Sequence, residues 1–444
     1  MFILRDLLGA LQTPFSDSRL GRERAHWFGL TLLAIIVPFT SSMTSNVLRS
    51  LQTLFGLDLN RRRFYTFMAS SKLPWERLWQ VLWSHIPEPG IEGRLLVALD
   101  DSLNNKTGRK IFGCGFFHDH AAKPNQTTYP WSQNVVCIGL LKVIKGRWTC
   151  LPLAWRLYFM NKDIQAQSEN TQTSGVTATF QSKMTQAVEM LCSVAAHFAH
   201  LPVLVVTDSW FGNDGLLRPL NKSDFRFDLL SRLRSNITLY DLPPPRLPHQ
   251  RGRSRKYGAK LGAVSEVASD YRAKAQTVSV WLYGKRREVS AHTQIVMLKN
   301  LRCPVRVVWV FRKTQWVALF TTDLTLSVQQ IIEYYGARWK IESGFKEIKQ
   351  EIGSARSQTR NAHAVLNHLN LCMMAATVTW IYADRIKSDP QRRHLVKGRT
   401  SFAFSDVRRL IANAALSADF HRLWPRLPKP RQNAFVSLLL RMVA

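Results

Sequence analysis

Tyr335, Arg338, Glu342 and Lys349 fall within the segment IIEYYGARWKIESGFKEIKQEIG (331–353) and supply a phenol, a guanidinium, a carboxylate and an ammonium. At about 100° per residue, a helix sets them at roughly 0°, −60°, −20° and −40°, one narrow polar stripe about four turns long. Beside it, Tyr334, Ile341, Phe345, Ile348 and Ile352 form an apolar stripe able to dock the helix on a core. Such a helix presents one ligand for a metal ion and several donors for the phosphates of a nucleic acid. The plainer reading is an i,i+4 ion pair of Arg338 with Glu342 on a solvated face, worth a few tenths of a kcal/mol. Gly336 and Gly344 each cost roughly 1 kcal/mol of helix propensity, which favours a functional reason for close approach here.

Two further carboxylates end apolar runs. LLVAL is followed by Asp100 and Asp101, and VLVVT by Asp208. Runs of this length ending in acid read as buried strands, and open α/β sheets put their chemistry at strand carboxyl ends. Asp100, Asp208 and Glu342, with no His or Cys beside them, form a ligand set for a hard cation such as Mg²⁺. Two such ions about 3.5–4 Å apart can activate a water or a 3′-hydroxyl and stabilise the leaving oxygen at phosphorus. Each Asp taken singly also suits a turn. Asp100 directly follows the apolar run and stands two residues before Ser102; Asp101 is the alternative, pointing to the other face if the strand continues.

Several elements must position these acids. The 444 residues are enough for two to four domains, and 46% hydrophobic content argues for a folded chain. Residues 1–90 read as short helices with Arg61, Arg62 and Arg63 between them, a DNA-binding head or a plain helical domain. Residues 91–225 give strands, a helix from about Ser174 to Ala199, then another strand, a mixed α/β sheet with flanking helices. Residues 226–309 are β-rich and carry 17 Lys+Arg against 5 Asp+Glu. Residues 310–360 return to the sheet and the helix of the opening stripe; residues 361–444 are helical and basic, with a Pro-rich break at WPRLPKP. The stretch 366–383 is apolar, but Asn367, His368 and Asn370 mark it as a buried helix, not a membrane span.

The balance of 61 Lys+Arg against 30 Asp+Glu, a net +31, points to a polyanionic partner. The loop DLPPPRLPHQRGRSRKYG concentrates it in Arg246, Arg251, Arg253, Arg255 and Lys256, stiffened by Pro243, Pro244, Pro245 and Pro248. Six cysteines without a CxxC pair read as buried thiols of a reducing compartment, and the N-terminal region has no secretory leader pattern. His118, Asp119 and His120 lack a third metal ligand nearby and suit a structural or DNA-contact role.

With these residues in place, the chain resembles the DDE transposases of bacterial insertion sequences, and more narrowly the branch marked by Y-x2-R-x3-E-x6-K, which Tyr335, Arg338, Glu342 and Lys349 match in full. LVALDDSLNNKTGRKIFGCGFFHDH is similar to the family's first aspartate block, and VLVVTDSWFGN to its second. The resemblance covers roughly residues 94–355. It implies an RNase H-like catalytic core interrupted by a β-rich insertion and flanked by helical domains. It implies Mg²⁺-dependent cleavage, with Mn²⁺ as substitute, and strand transfer at terminal inverted repeats. Asp100, Asp208 and Glu342 would be the metal ligands; Tyr335, Arg338 and Lys349 would hold backbone near the cleaved end, with Arg251, Arg253, Arg255 and Lys256 as further contacts. Its partners would be double-stranded end and target DNA, bound by a homodimer in a synaptic complex, away from any membrane and at the bacterial nucleoid. In similar transposases an aromatic of the insertion stacks on a flipped base; Trp281, Trp309 and Trp316 lie in or beside that region and read as structural. Two other functions fit the same fold: a DNA-binding repressor that does no chemistry, and a nuclease that cuts without joining.

Overall fold

The computed structural model describes residues 2–37, 39–164, 176, 178–246, 249, 251–394, 401–417 and 420. Pro248, the WPRLPKP break and the start of the helix expected at Ser174 lie outside them.

The acid-ended apolar runs are central strands. β1 (Leu95–Asn105), β5 (Val203–Thr207) and β6 (Phe227–Arg232) lie side by side and parallel. LLVAL and VLVVT are wholly buried, as parallel strands covered by helices must be. Beyond β1 the sheet continues antiparallel through β3 (Trp131–Ile144), whose far edge takes both β2 (Cys114–Phe116) and β4 (Arg147–Tyr158). A parallel pair needs a crossover. On that path lies α6 (Lys183–His197), which starts at an N-cap: Ser182 Oγ accepts from Thr185 N at 3.1 Å. Residues 178–182 are therefore not helical, contrary to the helix expected from about Ser174.

β6 pairs antiparallel with β12 (Gln315–Thr321), and β12, β11 (Cys303–Arg312) and β10 (Lys285–Leu298) form a meander. β9 (Gln276–Leu282) folds back on β10, and β7 (Thr238–Tyr240) joins β10 to β8 (Lys260–Ala263) at the edge. The described strands thus form one twelve-stranded sheet. The basic β-rich stretch extends this sheet beyond β6. The free N–H and C=O groups of the β6 edge explain it, since they need a strand partner. The short helices α7 (Asp214–Leu220) and α8 (Val264–Ala273) follow β5 and β8.

One face is covered by helices at both ends of the chain. α1 (Phe2–Ala10), α2 (Arg19–Ile36), α3 (Thr44–Leu54), α4 (Arg61–Met68) and α5 (Trp75–Ser84) precede the sheet. The helix of the opening stripe runs as α9 (Val328–Ala337) and α10 (Trp339–Lys346), followed by α11 (Ala362–Arg385) and α12 (Phe404–Ala415). α11 is long and apolar enough to cross a membrane, but 89% of its apolar window is buried inside the protein. Its polar side chains are the connectors. Asn367 donates to Met68 O (2.9 Å) and Ser70 O (2.8 Å) and accepts from Trp75 Nε1 (2.7 Å). Asn370 Oδ1 accepts from Trp79 Nε1 (2.9 Å) and Trp155 Nε1 (3.1 Å), tying α5 and β4 to one amide. Hence the N-terminal helices and the C-terminal helices share one core.

Arg408 on α12 closes that core. It is 3% exposed; its guanidinium donates to Ile35 O (3.1 Å), Ile36 O (2.8 Å) and Glu351 O (2.6 Å). Two of these are orphan carbonyls at the end of α2, which a buried cation satisfies. Arg408→Ala leaves all three without their partner and is expected to cost roughly 2–4 kcal/mol, read as a lower midpoint in urea unfolding. An unchanged midpoint would show that water takes over these carbonyls.

Candidate active site

Register brings two of the acids together. In the parallel β1–β5 pair Leu99 lies opposite Thr207, so the next residues, Asp100 within β1 and Asp208 just past the end of β5, are neighbours where the parallel pairing stops. β1 continues to Asn105, so successive side chains alternate between faces. Asp100 Oδ2 meets Arg338 Nη1 at 3.2 Å, whereas Asp101 Oδ2 takes Lys183 Nζ of α6 at 2.8 Å. Asp208 is fixed by a tight turn: its Oδ1 accepts from Trp210 N (3.0 Å) and Phe211 N (3.1 Å), and its carbonyl accepts from Ser231 Oγ of β6 (2.7 Å). Gly212 permits this approach, because a Cβ there would stand 2.2 Å from Ser231 Oγ.

The third acid arrives on α10. α9 opens with a reciprocal cap: Ser327 Oγ accepts from Gln330 N (3.2 Å), and Gln330 Oε1 from Ser327 N (2.8 Å). The apolar stripe of Tyr334, Ile341, Phe345, Ile348 and Ile352 is buried throughout. The polar stripe lies along β1, with two departures from a straight helix. At Arg338 the turn tightens, its N–H bonding Tyr335 O at 3.1 Å. After Lys346 the chain passes into a π-helical turn, Glu347–Ile352, ended by Gly353 at φ +87°. Single π turns recur at functional sites. This one changes the rotation per residue, so Lys349 reaches the Leu103 carbonyl of β1, with Nζ at 2.8 Å.

Arg338 is the hub. Its side chain is 8% exposed, bonded to Asp100 through Nη1 and to Glu342 Oε1 through Nη2 at 3.1 Å. The rings of Tyr335 and Trp339 stand 5.7 and 5.4 Å from its guanidinium carbon. Burial pushes the Asp100 carboxyl up to about 7, against the pull of Arg338 and with the repulsion of Asp208 and Asp101. Burial also raises Glu342, with Arg338 opposing, and lowers Lys349.

The oxygen-only donor set suits a divalent cation, and carboxylates held in so unfavourable a setting gain from one. The residues present therefore fit a metal in chemistry. In arrangement, no three His, Cys, Asp or Glu side chains among the described residues stand ready to hold an ion. The guanidinium of Arg338 stands between Asp100 and Glu342 instead.

The remaining sequence-selected residues are placed differently. Tyr335 is partly buried in this cluster. Arg251, Arg253, Arg255 and Lys256 are exposed on the loop between β7 and β8. By the strand registers, β7 runs toward the Asp208 end, but its last residue, Tyr240, is level with Met297 and so lies toward the opposite end of the sheet from Asp208. β7 stands five strand spacings from β5, about 24 Å along the sheet. His118 packs on His120 (4.4 Å between centroids) and Tyr129 (5.1 Å). Trp309 is fully buried and Trp316 packs on the core; Trp281 is exposed, with its backbone N bonded to Glu333 Oε1 of α9 at 2.7 Å. Residues missed from the sequence are Lys183, which pairs Asp101, and Trp210 and Trp339, exposed indoles beside Asp208 and Arg338. Trp210 and Trp339 stand next to the acid blocks in the sequence, whereas Lys183 lies 82 positions from Asp101 and left no local signal.

Lys349 now carries two expectations. The bond to Leu103 O makes it a structural link as well as a stripe residue, so Lys349→Met is expected to lower stability by about 1 kcal/mol. Should it slow DNA cleavage more than tenfold while melting shifts only a few degrees, its main role is at the site; a large melting shift with a matching loss of cleavage would make it structural.

A family model described as "DDE superfamily endonuclease" matches residues 15–288, more than half of the chain, including Asp100 and Asp208 and ending before α9. No curated protein matches. Among solved structures, the chain is similar to a cryo-EM structure of the piggyBac transposase synaptic complex with hairpin DNA. Identity is 13% and the TM-score 0.46, with 95% of this chain and 76% of that chain covered.

Proposed function

The chain belongs to the DDE superfamily endonucleases, and from that premise we propose that it is a cut-and-paste transposase of the Y-x2-R-x3-E-x6-K branch, cleaving DNA at the ends of a mobile element and joining them to a target. The observation that carries this reading is the convergence of Asp100 and Glu342 on Arg338 beside Asp208, where the parallel pairing of β1 with β5 stops. The order β4–β3–β1–β5–β6 serves as an RNase H-like core, with β7 to β11 as the insertion and the helices at both chain ends as flanking layers.

Asp100, Asp208 and Glu342 would hold the divalent cation, Mg²⁺ with Mn²⁺ as substitute. When bound, it supplies activation of a water or 3′-hydroxyl and neutralises charge developing at phosphorus. The chain's own residues do the rest. The Asp208 turn and the docked α9–α10 helix hold the acids at fixed separation. Arg338 and Tyr335 stand beside them as donors for a phosphate next to the cleaved bond. End and target duplexes are the substrates, and a homodimer would bring two ends together.

A strand-transfer assay tests the reading, with labelled element-end DNA, a target plasmid and Mg²⁺. Joined products that vanish with EDTA support it. Nicked ends without joining would favour a nuclease, and binding without either would favour a repressor.

A further inference from the structure

Arg338 is both the cation that balances the acids and the group that separates them. Its guanidinium engages Asp100 and Glu342 at 3.2 and 3.1 Å. Its Nε is buried and has no hydrogen-bond partner, in a residue only 7% exposed. With the guanidinium there, no three acids stand ready to hold an ion. A divalent cation entering alongside would contend for the same oxygens and would repel Arg338 at short range. A planar guanidinium binds phosphate as well as carboxylate, often through two parallel bonds, and this one has an unused donor. Its two carboxylate bonds are thus replaceable by a phosphodiester that also satisfies Nε.

We propose that Arg338 is an exchangeable counter-ion: in the DNA-free protein it occupies the carboxylates, and on binding a DNA phosphodiester it passes to the phosphate and frees Asp100 and Glu342 for the divalent cation. This rests on the reading of the acids as cation ligands and adds a regulation to it. DNA and cation then bind cooperatively, each raising the affinity of the other. The DNA-free protein holds no loaded ion, so it makes no stray hydrolytic cuts. The rings of Tyr335 and Trp339, with centroids 5.7 and 5.4 Å from the guanidinium carbon, leave it a short swing rather than a free one.

The test is Mn²⁺ binding to the full-length protein without DNA, followed by isothermal titration. Wild type is expected to bind weakly. Arg338→Gln is expected to bind about tenfold tighter or more, and Asp100→Asn added to it removes the gain. A wild-type affinity equal to that of Arg338→Gln, and lost in Asp100→Asn, overturns the exchange while keeping the acids as ligands. Mn²⁺ binding indifferent to Asp100→Asn in every background overturns both. A second measurement covers an Arg338→Gln that does not fold. The Mn²⁺ affinity of wild type, corrected for ion bound by the duplex, is compared with and without a short duplex of arbitrary sequence at low salt. A rise of about fivefold or more supports the exchange, and an unchanged affinity rejects it.

Discussion

Asp100→Asn, Asp208→Asn and Glu342→Gln are each expected to reduce DNA cleavage by ~10³-fold or more, with binding to the same DNA changed by no more than about twofold. The size follows from the chemistry. A cation stabilising charge at phosphorus contributes several kcal/mol to the barrier, and each 1.36 kcal/mol is about tenfold in rate. Affinity rests on Lys and Arg elsewhere, so it survives. Stability should move the other way for Asp100. Its folded pKa of about 7 lies above the ordinary value of 3.8, chiefly through burial. Between those values the unfolded chain is ionised and the folded one resists ionisation, so the group costs stability as pH rises through that window. An amide carries no such cost, and Asp100→Asn should melt at the same temperature or higher at neutral pH. Asp101→Asn is the comparison. Its pair with Lys183 is partly exposed and worth about 1 kcal/mol at most, and cleavage should fall by far less. Near wild-type cleavage by any of the three would remove that residue from the ligand set; the reverse ranking of Asp100 and Asp101 would shift the first ligand by one residue.

What the sequence made legible was local. LLVAL and VLVVT ending in acid could only be buried strands, and the stripe from Tyr335 to Lys349 required a helix with one docked face. The buried nature of 366–383 was readable from Asn367, His368 and Asn370, because a membrane span has no partners for them, whereas Trp75, Trp79 and Ser42 provide them here. What escaped was long-range. The Leu99–Thr207 register depends on a crossover of more than forty residues, which no local pattern encodes. The π turn at Glu347 escaped because apolar spacing over one turn does not separate 3.6 residues from a wider repeat. Which strands the β-rich stretch would pair with was not legible, because its charge marks its extent and not its partners. Charge lies on the exposed faces of strands, and the hydrogen-bond ladder that joins β12 to β6 is blind to it. Arg338 was selected for its spacing from Glu342, but its second bond, to Asp100, lies 238 positions away in the chain.

Replacing Arg251, Arg253, Arg255 and Lys256 together with Gln is expected to flatten the salt dependence of DNA binding by roughly three in the slope of log affinity against log salt. Each phosphate neutralised adds about 0.9 to that slope. All four side chains are exposed, whereas Arg246 folds back onto Gly252 O at 3.2 Å and is left intact to shape the loop. The loop departs from β7, five strands from β5 in the sheet, so a duplex lying across those strands meets both the acids and the loop. A separation of about 24 Å is some seven base pairs of duplex at about 3.4 Å each. The loop should therefore bind backbone well away from the scissile phosphate, and its loss should weaken duplexes long enough to span both far more than short ones. Between about 50 and 200 mM salt, the loss of affinity shown by wild type should shrink by ~10²-fold in the variant. Titrations across that range decide the matter. An unchanged slope would mean that these four cations stay solvated when DNA is bound. A reduced slope seen equally with short and long duplexes would put the loop beside the cleavage site rather than seven base pairs from it.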